Sequence, residues 1–243
     1  MDNKPETADY GKLYLVPTLL GPVEPLEVLP MATKKVLDLA DHYIVENEKS
    51  ARAFIKRVKP SKSQGQLAIF LLNKYTEPSE YVHFLNPCLQ GKNTALLSEA
   101  GAPGIADPGA DIIDLAHQKQ IQVVPITGPS SILLALMASG MNGQDFAFNG
   151  YLPIDKQARS KQLKWLEKQS RKTGQTQTFM ETPYRNQKLL SEILKACHED
   201  TRLCIAADLT LKTELIKTAP LAWWKHHVPE LEKRPAIFLL DAR

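Results

Sequence analysis

Apolar and polar positions alternate in short β-like runs that are separated by longer stretches with helical spacing. In the first half, strands are predicted at 12–16, 43–46, 94–98 and 122–126, and helices at 25–40, 50–58 and 111–119. Residues 59–66 are polar and contain Pro and Gly, which predicts a loop. Strands that alternate with helices in this way predict a largely parallel sheet covered by helices.

The second half has the same alternation with a larger share of strand. Helices are predicted at 130–139, 156–172 and 187–197, and strands at 146–152, 176–181, 203–208 and 236–240. We place a domain boundary before the apolar helix at 130–139, which gives domains 1–127 and 128–243. The predicted fold class is therefore α/β, with two α/β domains.

The composition indicates a globular protein. Of the 243 residues 43% are apolar and the formal net charge is only +3, which argues against disorder. No apolar run approaches the roughly 18 residues of a membrane helix, and the first residues do not resemble a secretory signal. Three scattered cysteines are typical of reduced thiols. We therefore expect a cytoplasmic protein.

Charge is distributed unevenly between the two halves. Residues 1–127 carry 13 basic and 15 acidic side chains, whereas residues 128–243 carry 17 basic and 12 acidic ones. Much of the excess lies at 156–172, where seven basic residues accompany a single acid, Glu167. This asymmetry suggests an anionic partner for the second half, although a solvated helix face would produce the same pattern.

Two segments between a predicted strand and a predicted helix are candidates for ligand binding. Residues 98–109 (SEAGAPGIADPG) and 127–131 (TGPSS) are rich in small residues, which let a ligand approach the backbone. The alternative is purely structural: Asp107 would cap one helix, and the second segment would be an ordinary helix start. Neither segment is a P-loop or a dinucleotide-binding fingerprint, and the histidines and cysteines lack metal-site spacing, so no metal is expected.

Three further segments complete an ordered set with 98–109 and 127–131, namely FAFNGYLP at 146–153, ETPYR at 181–185 and DLTL at 208–211. Together the five segments resemble the tetrapyrrole methylase superfamily, and most closely its ribosomal RNA small-subunit methyltransferase I branch. The resemblance extends from about residue 12 to 240, and that branch often continues into a further helical region. The family segment A-E-D-T-R departs here to VENEK at 45–49.

The resemblance implies that S-adenosylmethionine binds in a cleft between two domains of a typically homodimeric enzyme. The implied cofactor-binding residues are Pro17, Thr18, Ser98, Glu99, Ala100, Gly101, Ile105 and Ala106 in the first domain, and Ser130, Ser131, Met180, Ala207, Leu209 and Ala236 in the second.

The leading hypothesis is a methyltransferase that acts on a ribose 2′-oxygen of small-subunit ribosomal RNA. Glu46 and Lys49 are the candidates for assisting loss of the hydroxyl proton, unless they form only an exposed helix start. Residues of the basic helix would hold RNA phosphates, namely Arg159, Lys161, Lys164 and Lys168. Two alternatives stay open: a small-molecule (tetrapyrrole-like) or protein substrate, and a non-catalytic RNA-binding descendant, which the altered segment at 45–49 would suit.

Overall fold

The computed structural model describes residues 9–243, and the chain separates into two compact units after Ser130. The sequence-based boundary, after residue 127, precedes the same apolar helix. No helix within 9–243 combines the length and the apolar character that a membrane crossing requires.

The first unit contains one five-stranded sheet in the order β3-β2-β4-β1-β5, and all its strands are parallel. Its strands are β1 (Leu13–Val16), β2 (His42–Val45), β3 (Ala68–Leu71), β4 (Thr94–Leu97) and β5 (Val123–Pro125). Its helices are α1 (Pro25–Val28), α2 (Met31–Leu39), α3 (Glu48–Val58), α4 (Pro78–Phe84), α5 (Asn86–Leu89) and α6 (Gly109–Gln118), with a 3₁₀ turn at Gln64–Gln66. The parallel sheet predicted from the strand–helix alternation is confirmed in this unit.

Both faces of this sheet are buried. Tyr43 and Val45 pack with α2 and α3 on one face, and Ile44 and Leu96 pack with α5 and α6 on the other. Helices on both faces of a parallel sheet explain why the strands read as continuous apolar runs.

The helix predicted at 25–40 is two helices, because Leu29 and Pro30 interrupt it. Leu29 has the extended backbone angles φ −105° and ψ 137°. A residue that precedes proline is sterically disfavoured in the α region, so the first helix ends there and Pro30 caps the second. Strand β3 and helices α4 and α5 were not predicted.

The second unit contains a mixed sheet in the order β6-β7-β10-β8-β9. Its strands are β6 (Phe146–Tyr151), β7 (Thr176–Met180), β8 (Arg202–Ala207), β9 (Leu215–Pro220) and β10 (Ala236–Asp241), and its helices are α7 (Ser131–Ser139), α8 (Lys156–Thr173), α9 (Asn186–Ala196) and α10 (Leu221–Trp224). Only β6 and β7 are parallel to each other, and the remaining pairs are antiparallel. The sheet of this unit is therefore mixed and mostly antiparallel, in contrast to the parallel sheet of the first unit.

Helix α8 has clear start and stop signals. The Asp155 carboxylate accepts a hydrogen bond from the backbone N–H of Ala158, and Gly174 ends the helix in the left-handed conformation with φ 74°. Leu163 and Leu166 on its inner face are buried in the core that α8 shares with α9 and the sheet. The side chains on the opposite face of α8 therefore point to solvent.

Candidate functional site

Three neighbouring strands of the first unit end level with one another. Leu97, the last residue of β4, pairs with Val16 of β1 and with Val45 of β2. The segments that follow these strands begin with Pro17, Glu46 and Ser98, so they leave the sheet side by side. Ligands of open α/β sheets bind beyond the carboxyl ends of the strands, which makes this edge the candidate site.

Hydrogen bonds join the segments after β1 and β4. The Thr18 N–H donates to the Gly101 carbonyl at 2.9 Å, and the Gly101 N–H donates back to Thr18 at 3.3 Å. The Thr18 hydroxyl donates to the Ser98 carbonyl at 3.0 Å, and the Ser98 hydroxyl donates to the Gly101 carbonyl at 2.6 Å. Gly101 has φ +78°, and a Cβ atom there would lie 3.2 Å from the Leu20 side chain. Glycine is therefore the residue that this close approach accommodates.

The remainder of the loop has a structural anchor and an exposed tip. The Asp107 carboxylate accepts the backbone N–H groups of Gly104 and Gly109, both at 2.8 Å, which ties the loop to the first residue of α6. The N-cap position itself is held by Pro108, one residue after the predicted cap. Ile105 is 53% exposed, and Ala106 has a left-handed backbone with φ 60°. A left-handed alanine is strained, and such strain concentrates at functional sites. Asp107 thus has a structural role in the loop, whereas the exposed tip at Ile105 and Ala106 is the part that could contact a ligand.

Glu46 lies beside this loop. Its carboxylate accepts a hydrogen bond of 3.4 Å from the Glu99 N–H. Burial raises the pKa of Glu46 above its ordinary value, the Glu99 N–H opposes that rise, and the negative charges of Asp107 and Glu99 add to it. Lys49 is exposed in the first turn of α3, where its backbone N–H bonds to the Asn47 side chain. No ion pair between Lys49 and Glu46 occurs within the described chain.

A pocket of about 350 Å³ opens at the same edge of the first unit. It is lined by the segment at 18–22, by one face of α3 and by the start of the loop after β4. Ser50, Phe54 and Arg57 of α3 line it, and the Ser50 hydroxyl donates to the Glu99 carboxylate at 2.6 Å. These three were not among the predicted site residues. Their i, i+4, i+7 spacing on the helix after β2 is the signal that could have identified them.

The segment at 127–131 reaches the same edge after β5. A Cβ atom at Gly128 would lie 2.5 Å from the Pro17 ring, so only glycine permits this approach. Ser130 precedes α7 directly, and Ser131 is the first residue of that helix.

Topology also brings the predicted residues of the second unit to one edge of its sheet. Strands β7 and β8 run in the same direction, with β10 antiparallel between them. Met180 ends β7, Ala207 ends β8, and Ala236 begins β10 opposite Ala207. Ala207 and Ala236 are buried, as is Leu209 just beyond β8, so their side chains offer little surface to a ligand.

The turn after β8 is strained. Asp208 and Thr210 have positive φ angles of 52° and 72°, a region that residues other than glycine rarely adopt. Asp208 accepts hydrogen bonds from Arg234 at 2.7 Å and from the Thr213 hydroxyl at 2.9 Å. These side-chain contacts hold the backbone in its unfavourable conformation.

The assignment of Arg159 to RNA binding is corrected by the structure. Its side chain is 4% exposed, its guanidinium forms a two-point ion pair with Glu192, and it also donates to the carbonyls of Pro153 and Ile154. With its donors engaged inside the protein, Arg159 positions the segment before α8 and has no exposed surface for a phosphate.

The single acid of α8 also points inward. The Glu167 carboxylate accepts hydrogen bonds from the His198 N–H at 2.7 Å and from the Thr201 hydroxyl at 2.5 Å. The exposed basic residues on the outer side of the helix are Lys161, Lys164, Lys168, Arg171 and Lys172. No acid of α8 therefore lies on this face, and Asp200, beyond α9, pairs with Arg171 near its C-terminal end. Within residues 9–243, no group of three or more His, Cys, Asp or Glu is placed to hold a metal ion.

Comparison with known proteins identifies the protein family. Residues 12–223 match the family of tetrapyrrole (corrin/porphyrin) methylases. The chain therefore belongs to this family of methyltransferases, which confirms the resemblance inferred from the five ordered segments.

Individual relatives indicate which branch of the family this chain resembles. The chain is 31% identical over 224 residues to "Ribosomal RNA small subunit methyltransferase I" of Vibrio cholerae, covering 91% of this chain and 73% of that protein. It is 29% identical over 235 residues to the protein of the same name from Buchnera aphidicola, covering 95% and 78%. A solved uroporphyrin-III C-methyltransferase from Thermus thermophilus, complexed with S-adenosylhomocysteine, shares the fold with a TM-score of 0.58 and 17% identity over 95% of this chain and 97% of that one.

The buried position of Arg159 yields a prediction about stability. Arg159→Ala should lower the free energy of unfolding of the second unit by about 3–5 kcal/mol, because it leaves the Glu192 carboxylate, whose side chain is only 12% exposed, without its partner. Lys161→Ala, on the exposed face, should change it by less than about 0.5 kcal/mol. All three tryptophans lie in this unit, so urea unfolding followed by tryptophan fluorescence reports on it.

The pH dependence of the free energy of unfolding provides a second test of the ion pair between Arg159 and Glu192. Arg159 holds the pKa of Glu192 below its ordinary value, so the contribution of the pair is present above the ordinary range of a glutamate and is lost as the pH falls through the lowered pKa. The Arg159→Ala variant should lack this acid-dependent loss. Equal urea midpoints for Arg159→Ala and Lys161→Ala would contradict the structural role.

Proposed function

We propose that the protein transfers a methyl group from S-adenosylmethionine to a ribose 2′-oxygen of small-subunit ribosomal RNA. The observation that carries this proposal is the similarity to relatives named as ribosomal RNA methyltransferases, which spans both units of the chain. The basic face of α8, to which the helix itself contributes no acid, supports an RNA substrate independently.

Features of the first unit support a site for S-adenosylmethionine. Backbone groups at 98–101 lie at the carboxyl ends of the strands. Gly101 has no Cβ atom, which would lie 3.2 Å from the Leu20 side chain. We propose that Pro17, Thr18 and the loop from Ser98 to Ala106 hold the cofactor. The contributions implied for Ser130, Ser131, Met180, Ala207, Leu209 and Ala236 remain predictions.

The chemistry assigns separate tasks to the cofactor and the protein. S-adenosylmethionine, when bound, supplies a methyl carbon activated by its positively charged sulfur. Held by Pro17, Thr18 and the loop from Ser98 to Ala106, it would offer that methyl carbon to the 2′-oxygen, and its sulfur would keep the electron pair of the broken carbon–sulfur bond.

Glu46 is proposed to take the proton that the hydroxyl loses. Its raised pKa makes it a stronger base than an ordinary glutamate. The ammonium of Lys49, in the first turn of α3, would favour the negative charge that develops on the oxygen.

Methyl transfer to small ribosomal subunits tests the function directly. Purified protein should transfer labelled methyl from S-adenosylmethionine to the RNA of subunits from a strain that lacks this gene. A 2′-O-methyl group should protect the neighbouring phosphodiester bond from alkali. Label confined to protein or small-molecule extracts, label on a base, or no transfer at all would overturn the proposal.

Glu46→Gln should lower kcat by about 10²- to 10⁴-fold in the same assay, because the amide cannot accept the proton. In the unsubstituted protein, kcat should fall as the pH drops through the raised pKa of Glu46, since only the ionised carboxylate is a base.

Glu48→Gln is the matched control for Glu46→Gln, because Glu48 is exposed and pairs with Arg52. Unchanged kcat in Glu46→Gln, with cofactor affinity retained by calorimetry, would remove Glu46 from the mechanism.

Charge reversal on α8 tests the RNA surface. A triple variant of Lys161, Lys164 and Lys168 to Glu should weaken RNA binding and flatten its dependence on salt, because fewer counterions are released. The control carries the same three changes at the exposed residues Lys35, Lys74 and Lys92 of the first unit. Filter binding at several salt concentrations measures both effects, and equal affinity of the two triple variants would refute the assignment.

The proposed substrate also bears on location and assembly. A protein that modifies ribosomal RNA would act in the cytoplasm. The homodimer implied by the family resemblance is part of the proposal, and light scattering after size exclusion would measure it.

A further inference from the structure

The exposed face of α8 carries a large aromatic ring among its lysines. Trp165 is 49% exposed. Lys161 lies four residues before it and Lys168 three residues after it, so both are its neighbours on the helix surface. A half-exposed indole leaves apolar area in water, which is unfavourable unless a ligand covers it.

The other two tryptophans of this unit are already engaged. Trp224 is 1% exposed and donates its indole N–H to a backbone carbonyl at 2.9 Å. Trp223 stacks on His227, with ring centroids 4.0 Å apart and planes at 4°, and the Lys217 ammonium lies 5.2 Å from its centroid. Within residues 9–243, Trp165 is the tryptophan whose ring has no aromatic or cation–π partner.

The charges around Trp165 are unneutralised. Within the described chain, Lys161, Lys164, Lys168 and Lys172 form no ion pair. Glu167 is turned into the core, and Arg171 pairs with Asp200 at 3.4 Å. A ligand that covers the ring should therefore combine a flat apolar face with closely spaced negative charges.

An unpaired nucleotide of single-stranded RNA has both properties. Its base offers a π-face to the indole, and its phosphates are anionic, whereas a duplex hides the faces of its bases. We propose that Trp165 stacks on an unpaired base of the RNA substrate while the flanking lysines hold the adjacent phosphates. This inference rests on the proposed RNA substrate and adds that the RNA is held by an unpaired segment.

The test compares single-stranded and duplex RNA. Anisotropy of a labelled oligonucleotide should show that Trp165→Ala weakens binding of the single strand by about 5- to 150-fold, the range expected for loss of one stacked base. Trp165→Phe should retain part of that affinity, and the matched control Trp223→Phe should retain all of it. Affinity for the same strand annealed to its complement should be equal in all four proteins.

Salt and fluorescence provide further readouts. Trp165→Ala should keep the salt dependence of the unsubstituted protein, whereas Lys168→Ala should reduce the slope of log K against log salt by about 0.7. Saturating single-stranded RNA should quench tryptophan emission in Trp223→Phe but much less in Trp165→Phe.

The outcomes separate this inference from the proposed function. If the protein methylates RNA but Trp165→Ala binds the single strand normally, the stacking inference alone fails. If Trp165→Ala weakens single-strand binding but no methyl reaches RNA, the stacking surface stands and the proposed function fails. Equal weakening on duplex RNA, no binding by the unsubstituted protein, or a dimer that Trp165→Ala dissociates would each overturn the stacking inference.

Discussion

The common register of β1, β2 and β4 is the constraint on which the candidate site depends. Because Leu97 pairs with both Val16 and Val45, three strands end at one level and deliver their following segments to a single edge. The hydrogen bonds between Thr18 and Gly101 and the contact between Glu46 and Glu99 are possible only in that register. A slip of one residue in β4 would reverse its buried faces and separate these groups, so packing of the sheet and assembly of the site are one requirement.

The elements of this fold could largely be predicted from sequence, but their arrangement could not. Periodicity identified the strands and helices around the motifs, since apolar spacing reflects burial directly. Strand order depends on contacts between distant parts of the chain. Periodicity therefore did not predict that β2 pairs with β4, and the pocket beside α3 depends on that pairing. The interruption at Leu29 and Pro30 was a local signal that the prediction overlooked, because the apolar spacing continues across it.

In helix α8, the number of charged residues in the sequence differs from the number that the surface carries. Arg159 recurs with Leu163, Leu166 and Ser170 on the buried side of the helix, so its spacing already indicated an inward position. Its burial beside Glu192 removes one cation from the surface, and the inward turn of Glu167 removes the one anion. A net charge of +3 for the chain thus conceals a local face of concentrated positive charge, which is the property that determines long-range attraction of an anionic partner.

The turn at Asp208 and Thr210 has a consequence for evolution and design. Glycine would adopt both positive φ angles without strain, yet the chain retains side chains at both positions. Asp208 has an evident reason in its bonds to Arg234 and Thr213, whereas the buried hydroxyl of Thr210 has no partner within residues 9–243. A search for more stable variants would find glycine at position 210 attractive. Glycine there would remove the strain and the unpartnered hydroxyl together, whereas glycine at position 208 would also remove the bonds to Arg234 and Thr213.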